Sequence, residues 1–244
     1  MALSTELVSY YKFDENAGNT TIVDARGNQN GGASTNTSNL YDANGKINSC
    51  FNLTYTNSEY LTFAHDFFSA TAQTYALWIK PNQTGTDSTM RSEYILDSDA
   101  HKTIMSVAGT DVTYRFQVIA GNLTHVIDIP KADSDFPNWY KADQWVFIVL
   151  SMTSGNNNLW CFSASGNGSY NSSTAWTAES STGLQIGRSA TGVQYFDGEM
   201  DEFGIWSRAI TFSEAEELYN SDNGKTYPFG EEPEPLKIFD LRFG

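Results

Sequence analysis

Apolar and polar residues alternate over many short stretches of this chain, a period of two that predicts β-strands rather than helices. Candidate strands fall at residues 7–13, 47–53, 60–63, 74–80, 93–97, 103–107, 113–119, 125–129, 145–153, 159–164, 183–187 and 198–206. Clusters of Gly, Asn, Asp and Ser separate them, as at 27–32, 154–158 and 165–169, and these are turn chemistry. Two stretches, 75–79 (YALWI) and 145–150 (WVFIVL), are apolar on both faces and predict central strands covered on two sides. The helical signal is Thr211-Phe-Ser-Glu214, the spacing of a capping box, with Phe212, Ala215, Leu218 and Tyr219 along one side of the helix that follows. Many short strands at near-regular spacing predict one all-β sandwich or barrel.

The closing strand and helix, 196–219 (FDGEMDEFGIWSRAITFSEAEELY), also resemble a family. A turn Gly, an Asp-Glu pair, an aromatic, an Arg and a capped helix ending Leu-Tyr resemble the end of laminin-G-like domains, which belong to the concanavalin A-like lectin/glucanase jelly rolls. Earlier blocks match in order. They are LVSYYKF from Leu7 with Asp14 and Asp24-Ala-Arg-Gly-Asn, then Gly45-Lys-Ile-Asn-Ser-Cys-Phe-Asn with Glu59-Tyr60-Leu61, then Tyr75-Ala-Leu-Trp-Ile-Lys-Pro81, then Leu184-Gln-Ile-Gly187. The resemblance spans residues 5–222. It implies a jelly-roll β-sandwich of two antiparallel sheets with one short C-terminal helix, and a domain at 1–224. Residues 225–244 read as a Pro/Glu linker followed by an apolar tail, 236–244 (LKIFDLRFG), opening on Leu236. That tail either folds back on the sandwich or docks on a neighbouring subunit as an added strand.

Composition supports one β domain, with 14% aromatic and 18% charged residues and 19 Gly. A net charge of −15, from 29 acids against 14 bases, lacks the basic footprint that nucleic acid or an anionic membrane requires. No apolar run is long enough for a membrane-spanning helix, so membrane insertion is not expected. The opening MALSTELVSYYKF has neither a basic nor an apolar leader region, so no signal peptide is expected from it. Family members are commonly secreted, which makes an extracellular or virion-surface location the expectation. Cys50 and Cys161 are either two buried thiols or one disulfide.

In relatives of this fold a structural calcium sits where the first strand, the second block and the closing Asp meet. The resemblance implies Asp201 as carboxylate ligand, joined by Asp14, the carbonyl of Phe13 and the turn at Gly45. The alternative is that Asp201 accepts amide hydrogen bonds. On strict alternation Asp201 shares the face of Phe203 and Ile205, while Glu202 faces the other way and pairs with Arg208 or a neighbouring strand. A second acidic run, Asp97-Ser-Asp99-Ala-His101, reads as a self-capped hairpin turn, with a cation site on one side of an extended chain as the alternative.

Sugar recognition needs a flat apolar surface beside hydrogen-bonding groups. The loop 130–141 (PKADSDFPNWYK) offers Phe136, Trp139 and Tyr140; Tyr170, Trp176 and Tyr195 are further loop aromatics. The expected function is a non-catalytic module that binds carbohydrate or a cell-surface protein. A virion or cell-surface assembly protein is the alternative. A glycoside hydrolase is least favoured, because Glu199-Met-Asp-Glu202-Phe203 has Phe203 where the paired-carboxylate pattern needs a second Glu.

Overall fold

The computed structural model describes residues 2–64, 72–82, 92–99, 104–110, 113–119, 127–130, 139–173 and 183–230. Among these, sixteen strands, numbered in chain order, form two antiparallel sheets. The first sheet runs β14 (Gly166–Ser172), β13 (Asn157–Ser163), β12 (Val146–Thr153), β7 (Ala72–Pro81), β16 (Gly198–Trp206), β5 (Cys50–Leu53) and β4 (Tyr41–Asp42), and β1 (Leu7–Tyr11) also pairs with β16. The second runs β11 (Ile127–Pro130), β10 (Thr113–Ile119), β9 (Ile104–Thr110), β8 (Glu93–Ser98), β15 (Gly183–Ile186), β6 (Leu61–Ala64), β3 (Gly31–Ala33) and β2 (Thr21–Ile22). One short turn of helix, α1 (Thr37–Leu40), lies between β3 and β4, and α2 (Phe212–Tyr219) follows β16. This is the expected jelly-roll sandwich.

Alternation along β7 and β12 explains why the first sheet is covered twice. Tyr75, Leu77, Ile79, Ile148 and Leu150 join the core between the sheets, with Leu61, Phe63, Ile95 and Ile186 opposite. Ala76, Trp78, Phe147 and Val149 point the other way, into a second apolar layer with Trp206, Ala215, Leu218 and Phe229. Each such large side chain, fully buried, contributes about 1.5–3 kcal/mol. The cap of α2 forms as its spacing predicts: the Thr211 hydroxyl accepts from the Glu214 amide at 3.3 Å, and the Glu214 carboxylate accepts from the Thr211 amide at 2.7 Å.

Arg208 holds the same carboxylate with both terminal nitrogens, at 2.7 and 2.9 Å, and its Nε donates to the carbonyl of Thr5 at 2.8 Å. Of the two partners expected for Glu202, Arg208 is therefore corrected, and Glu202 lies instead beside Tyr10 of the neighbouring strand β1. The guanidinium fork is satisfied by the helix start and the N-terminal segment, and Glu202 sits elsewhere.

The stretch 165–169, expected as a turn, lies mostly within β14, an edge strand whose Gly, Asn and Ser residues pair with β13. Ser98 extends β8 by one residue beyond the expected strand 93–97, so Asp97 is a strand residue and the turn begins at Asp99; Asp97 accepts from the Ala190 amide at 2.7 Å. Cys50 and Cys161 are both buried free thiols. Residues 225–230, expected to begin a linker, instead pack on the second apolar layer: the Phe229 ring lies 5.4 Å from Tyr10, and Tyr227 lies 6.0 Å from it. The tail 236–244 lies outside the described residues.

Candidate functional site

Two places draw polar side chains together, and the first is the corner at the middle of β16. One edge of β16 is shared: Gly198, Glu199 and Met200 pair with β5, whereas Phe203 to Trp206 pair with β1. The register with β7 shifts between Asp201 and Gly204, and Glu202 adopts a left-handed φ of 53°. Met200, Phe203 and Ile205 all enter the core between the sheets. Strict alternation from Asp201 to Phe203 therefore fails, because a β-bulge inserts a residue there.

The bulge leaves room for the turn that precedes β5, and two carboxylates hold that turn. Asp201 Oδ2 accepts from the Ile47 amide at 2.9 Å; Asp14 Oδ1 accepts from the Ser49 amide at 3.2 Å and its hydroxyl at 2.7 Å. Phe13 takes a left-handed φ of 57° at the same corner. A Cβ on Gly45 would meet the Ser49 carbonyl oxygen at 2.3 Å, so the turn closes only with glycine there.

Asp201 and Glu202 are buried. Burial, then the neighbouring Glu202 charge, pushes the Asp201 carboxyl well up, against the pull of the Ile47 amide. Burial pushes Glu202 up to about 7, against the pull of the Tyr10 and Thr226 hydroxyls and the Lys12 ammonium.

Do these donors suit calcium? The hard oxygens do, and Asp201 Oδ1 is buried without a hydrogen-bond partner. Yet among the described residues no three His, Cys, Asp or Glu side chains converge as a metal-holding group. The turn amides already occupy one oxygen of each carboxylate. Asp201 and Asp14 thus hold the corner together themselves, and an ion there would complete its shell from main-chain carbonyls.

The second place is an open cleft of about 710 Å³ at one end of strands β3, β6 and β15 of the second sheet. It is lined by Tyr60, Tyr195 and Arg188, together with the polar side chains of Ser34, Thr35, Asn39 and Asn57. Tyr60 leads into β6 and is bound to the chain after β3 in both directions: its amide donates to Ser34 Oγ at 3.0 Å, and its carbonyl accepts from the Ser34 amide at 2.9 Å. Glu59, the residue before it, turns inward and accepts from the Thr54 amide at 2.8 Å and from Asn57 Nδ2 at 3.3 Å. It ties the residue before the 3-10 turn Tyr55–Asn57 to the turn's last side chain, so its carboxylate holds the wall.

Arg188 follows β15 after Gly187, whose φ of +83° turns the chain out of the sheet. A Cβ on Gly187 would also meet Leu53 Cδ1 at 2.4 Å. The Arg188 guanidinium lies 3.4 Å from the centroid of the Tyr60 ring, and its Nε donates to Gln185 Oε1. Tyr195 is pinned across the next turn, donating from its hydroxyl to the Gly192 carbonyl at 3.0 Å. Its ring stands 6.4 Å from both Tyr55 and Tyr60. The result is an aromatic wall beside exposed hydroxyl and amide groups.

Among the described residues, Tyr195 is the one expected ligand aromatic that lines this cleft. Trp139 and Tyr140 are only 2% and 1% exposed, so this pair is corrected to core anchors. Trp139 Nε1 donates to the Tyr170 hydroxyl at 3.1 Å, and its ring fills the notch at Gly168, where a Cβ would approach to 2.4 Å. Tyr170 belongs to β14 and completes that clamp. Phe136 and Trp176 lie outside the described residues. Sequence reasoning quoted Tyr60 and Gly187 as family positions but overlooked Arg188, whose only signal was a base beside a turn glycine in a strongly acidic chain.

Among known proteins, the Concanavalin A-like lectin/glucanases superfamily, through its laminin G-type branch, matches residues 55–216. Two antiparallel sheets and this match place the chain among jelly-roll sandwiches, and it belongs to that superfamily. No curated protein matches. Among solved structures, domain 4 of AbnA, a GH43 extracellular arabinanase from Geobacillus stearothermophilus in complex with arabinotriose, is similar at 18% identity and a TM-score of 0.54. The match covers 86% of this chain and 96% of that one. The botulinum neurotoxin type G receptor binding domain is similar at 15% identity and a TM-score of 0.60, over 88% of this chain and 51% of that one. The binding domain of botulinum neurotoxin DC in complex with SialylT is similar at 12% identity and a TM-score of 0.58, over 89% and 52%. This chain therefore spans about half of each toxin domain, and such likeness shows the fold alone. Among the described residues no helix is long and apolar enough to cross a membrane.

Proposed function

We propose that the chain is a non-catalytic binding module that takes a saccharide in the cleft between Tyr60, Tyr195 and Arg188, outside the cell or on a virion surface. The observation that carries this is the combination within one cleft of about 710 Å³: an aromatic wall for the C–H face of a sugar, and Ser34, Thr35 and Asn39 for its hydroxyls. The arabinotriose and SialylT complexes of the fold relatives agree with a saccharide ligand.

A hydrolase reading has little to act with. Glu199 is paired with Lys80 at 3.0 Å, Asp201 holds the Ile47 amide, and Glu202 is buried. Retaining or inverting chemistry needs two carboxyls that flank a substrate.

Calcium enters this proposal as a stabiliser of the Asp14–Asp201 corner and not as a ligand contact. Millimolar calcium then raises the melting temperature of the wild type and leaves that of Asp201→Asn unchanged; no shift in either removes the ion from the proposal. The binding proposal is tested on a glycan array with wild type and Tyr195→Ala. Signal in the first and its loss in a folded second support the cleft. A blank array for a folded wild type overturns it.

A further inference from the structure

Arg188 gives the cleft a chemical preference. Its guanidinium is stacked on Tyr60 at 3.4 Å and its Nε is bonded to the neutral Gln185 side chain. Among the described residues no carboxylate lies within ion-pair distance of it: the salt bridges there join Lys46 to Asp222, Lys80 to Glu199, Arg208 to Glu214 and Lys225 to Glu217. Glu59, the acid in the same wall, is 7% exposed and turned into its own 3-10 turn. The terminal nitrogens of Arg188 are therefore held in a fixed plane at the edge of a polar cleft, with no acid of the described chain to occupy them.

That state is unusual in a protein with 29 acidic residues against 14 basic ones. An arginine elsewhere in the fold, Arg208, is neutralised by a bidentate carboxylate. Stacking on a ring fixes the planar fork, and a fixed fork loses little entropy when it accepts a planar anion through two parallel N–H···O bonds.

Resting on the saccharide reading of the cleft, we propose that its ligand is an acidic sugar whose carboxylate is read by Arg188, while Tyr195 and the Ser34–Thr35–Asn39 rim hold the ring. A single guanidinium matches a single carboxylate. A densely sulfated chain would bring many charges against a protein of net charge −15, with Arg188 the one base among the described residues that line the cleft.

The test uses the whole chain and glycans in matched sets: uronate-bearing oligosaccharides with their carboxyl-reduced forms, sialylated glycans with their asialo forms, and sulfated glycans. The expected result is at least a tenfold preference for the carboxylated member of a set, lost in Arg188→Gln, with residual binding equal to that of the neutral form. Arg188→Lys, which keeps the charge but not the planar fork, is expected to keep only part of the preference. The uronate and sialyl sets separate the two sources of the carboxylate. Both variants are checked for an unchanged melting temperature. Equal binding of acidic and neutral members, or preference for the sulfated set, overturns this inference and leaves the saccharide reading standing. Absence of binding to every set by a folded wild type overturns both.

Discussion

The corner at Asp201 and the cleft at Arg188 are both built on residues of unfavourable charge for their setting, yet they end in opposite states. At the corner the acids turn inward: Asp201 and Asp14 take the amides of the turn, and Glu202 is buried with its carboxyl pushed up to about 7. At the cleft the base turns outward, propped on a ring and left without a carboxylate partner among the described residues. The corner joins strands and the cleft presents a surface. An acidic motif that looks like chemistry in a sequence is, in this molecule, carpentry, and a lone arginine beside a glycine is the better candidate for recognition.

The comparison can be broken or sharpened by substitution. The largest effect is expected on the structural side. Glu214→Ala leaves Arg208 as a buried charge without its partner and removes the carboxylate half of the α2 capping box, and it is expected to destabilise by about 3–5 kcal/mol in urea unfolding. Saccharide affinity should hold at temperatures where the variant is folded. Trp139→Ala is expected to cost a similar amount, about 3–5 kcal/mol, by emptying the notch at Gly168. If it removed binding and left stability intact, the assignment of Trp139 to the core would be wrong.

Next comes a pH dependence carried by Glu202. Its folded carboxyl keeps a proton to higher pH than the unfolded chain does, so its stabilising contribution is fully present below about 4.5 and is lost as pH rises to about 7. The shift corresponds to about 3 kcal/mol across that window. Asp201, also pushed up by burial, acts in the same direction. Glu202→Gln is expected to flatten the fall in melting temperature between those pH values; an unchanged slope would move its origin elsewhere. The smallest expected effect is Tyr195→Phe, which removes the bond to the Gly192 carbonyl and should weaken binding or stability by about 1 kcal/mol, measured by calorimetry and thermal melts.

Much of the frame is readable along the chain. The strands 113–119 and 198–206 match β10 and β16 to the residue, and the two-faced apolar stretches of β7 and β12 are central strands covered on both sides. The capping box at Thr211 forms as its spacing implies. These features are local: a period of two, a hydroxyl three residues before a carboxylate. Edge strand β14 was less readable, because its Gly, Asn and Ser residues favour turns by themselves and become a strand only through pairing with β13.

The candidate site was the least legible part, for the same reason carried further. By itself the sequence determined the all-β class and the capped helix, which depend on patterns between near neighbours, while the jelly roll and the family came from the resemblance of motif blocks along the chain. Only the tertiary structure decided that a bulge at Glu202 breaks the alternation, that Trp139 and Tyr140 fill the core, and that Tyr60, Arg188 and Tyr195 meet. Arg188 and Tyr195 are near neighbours in sequence, but Tyr60 lies more than a hundred positions before them. They share a cleft because β15 lies beside β6 in the second sheet, a pairing fixed by complementary packing and not by any local signal.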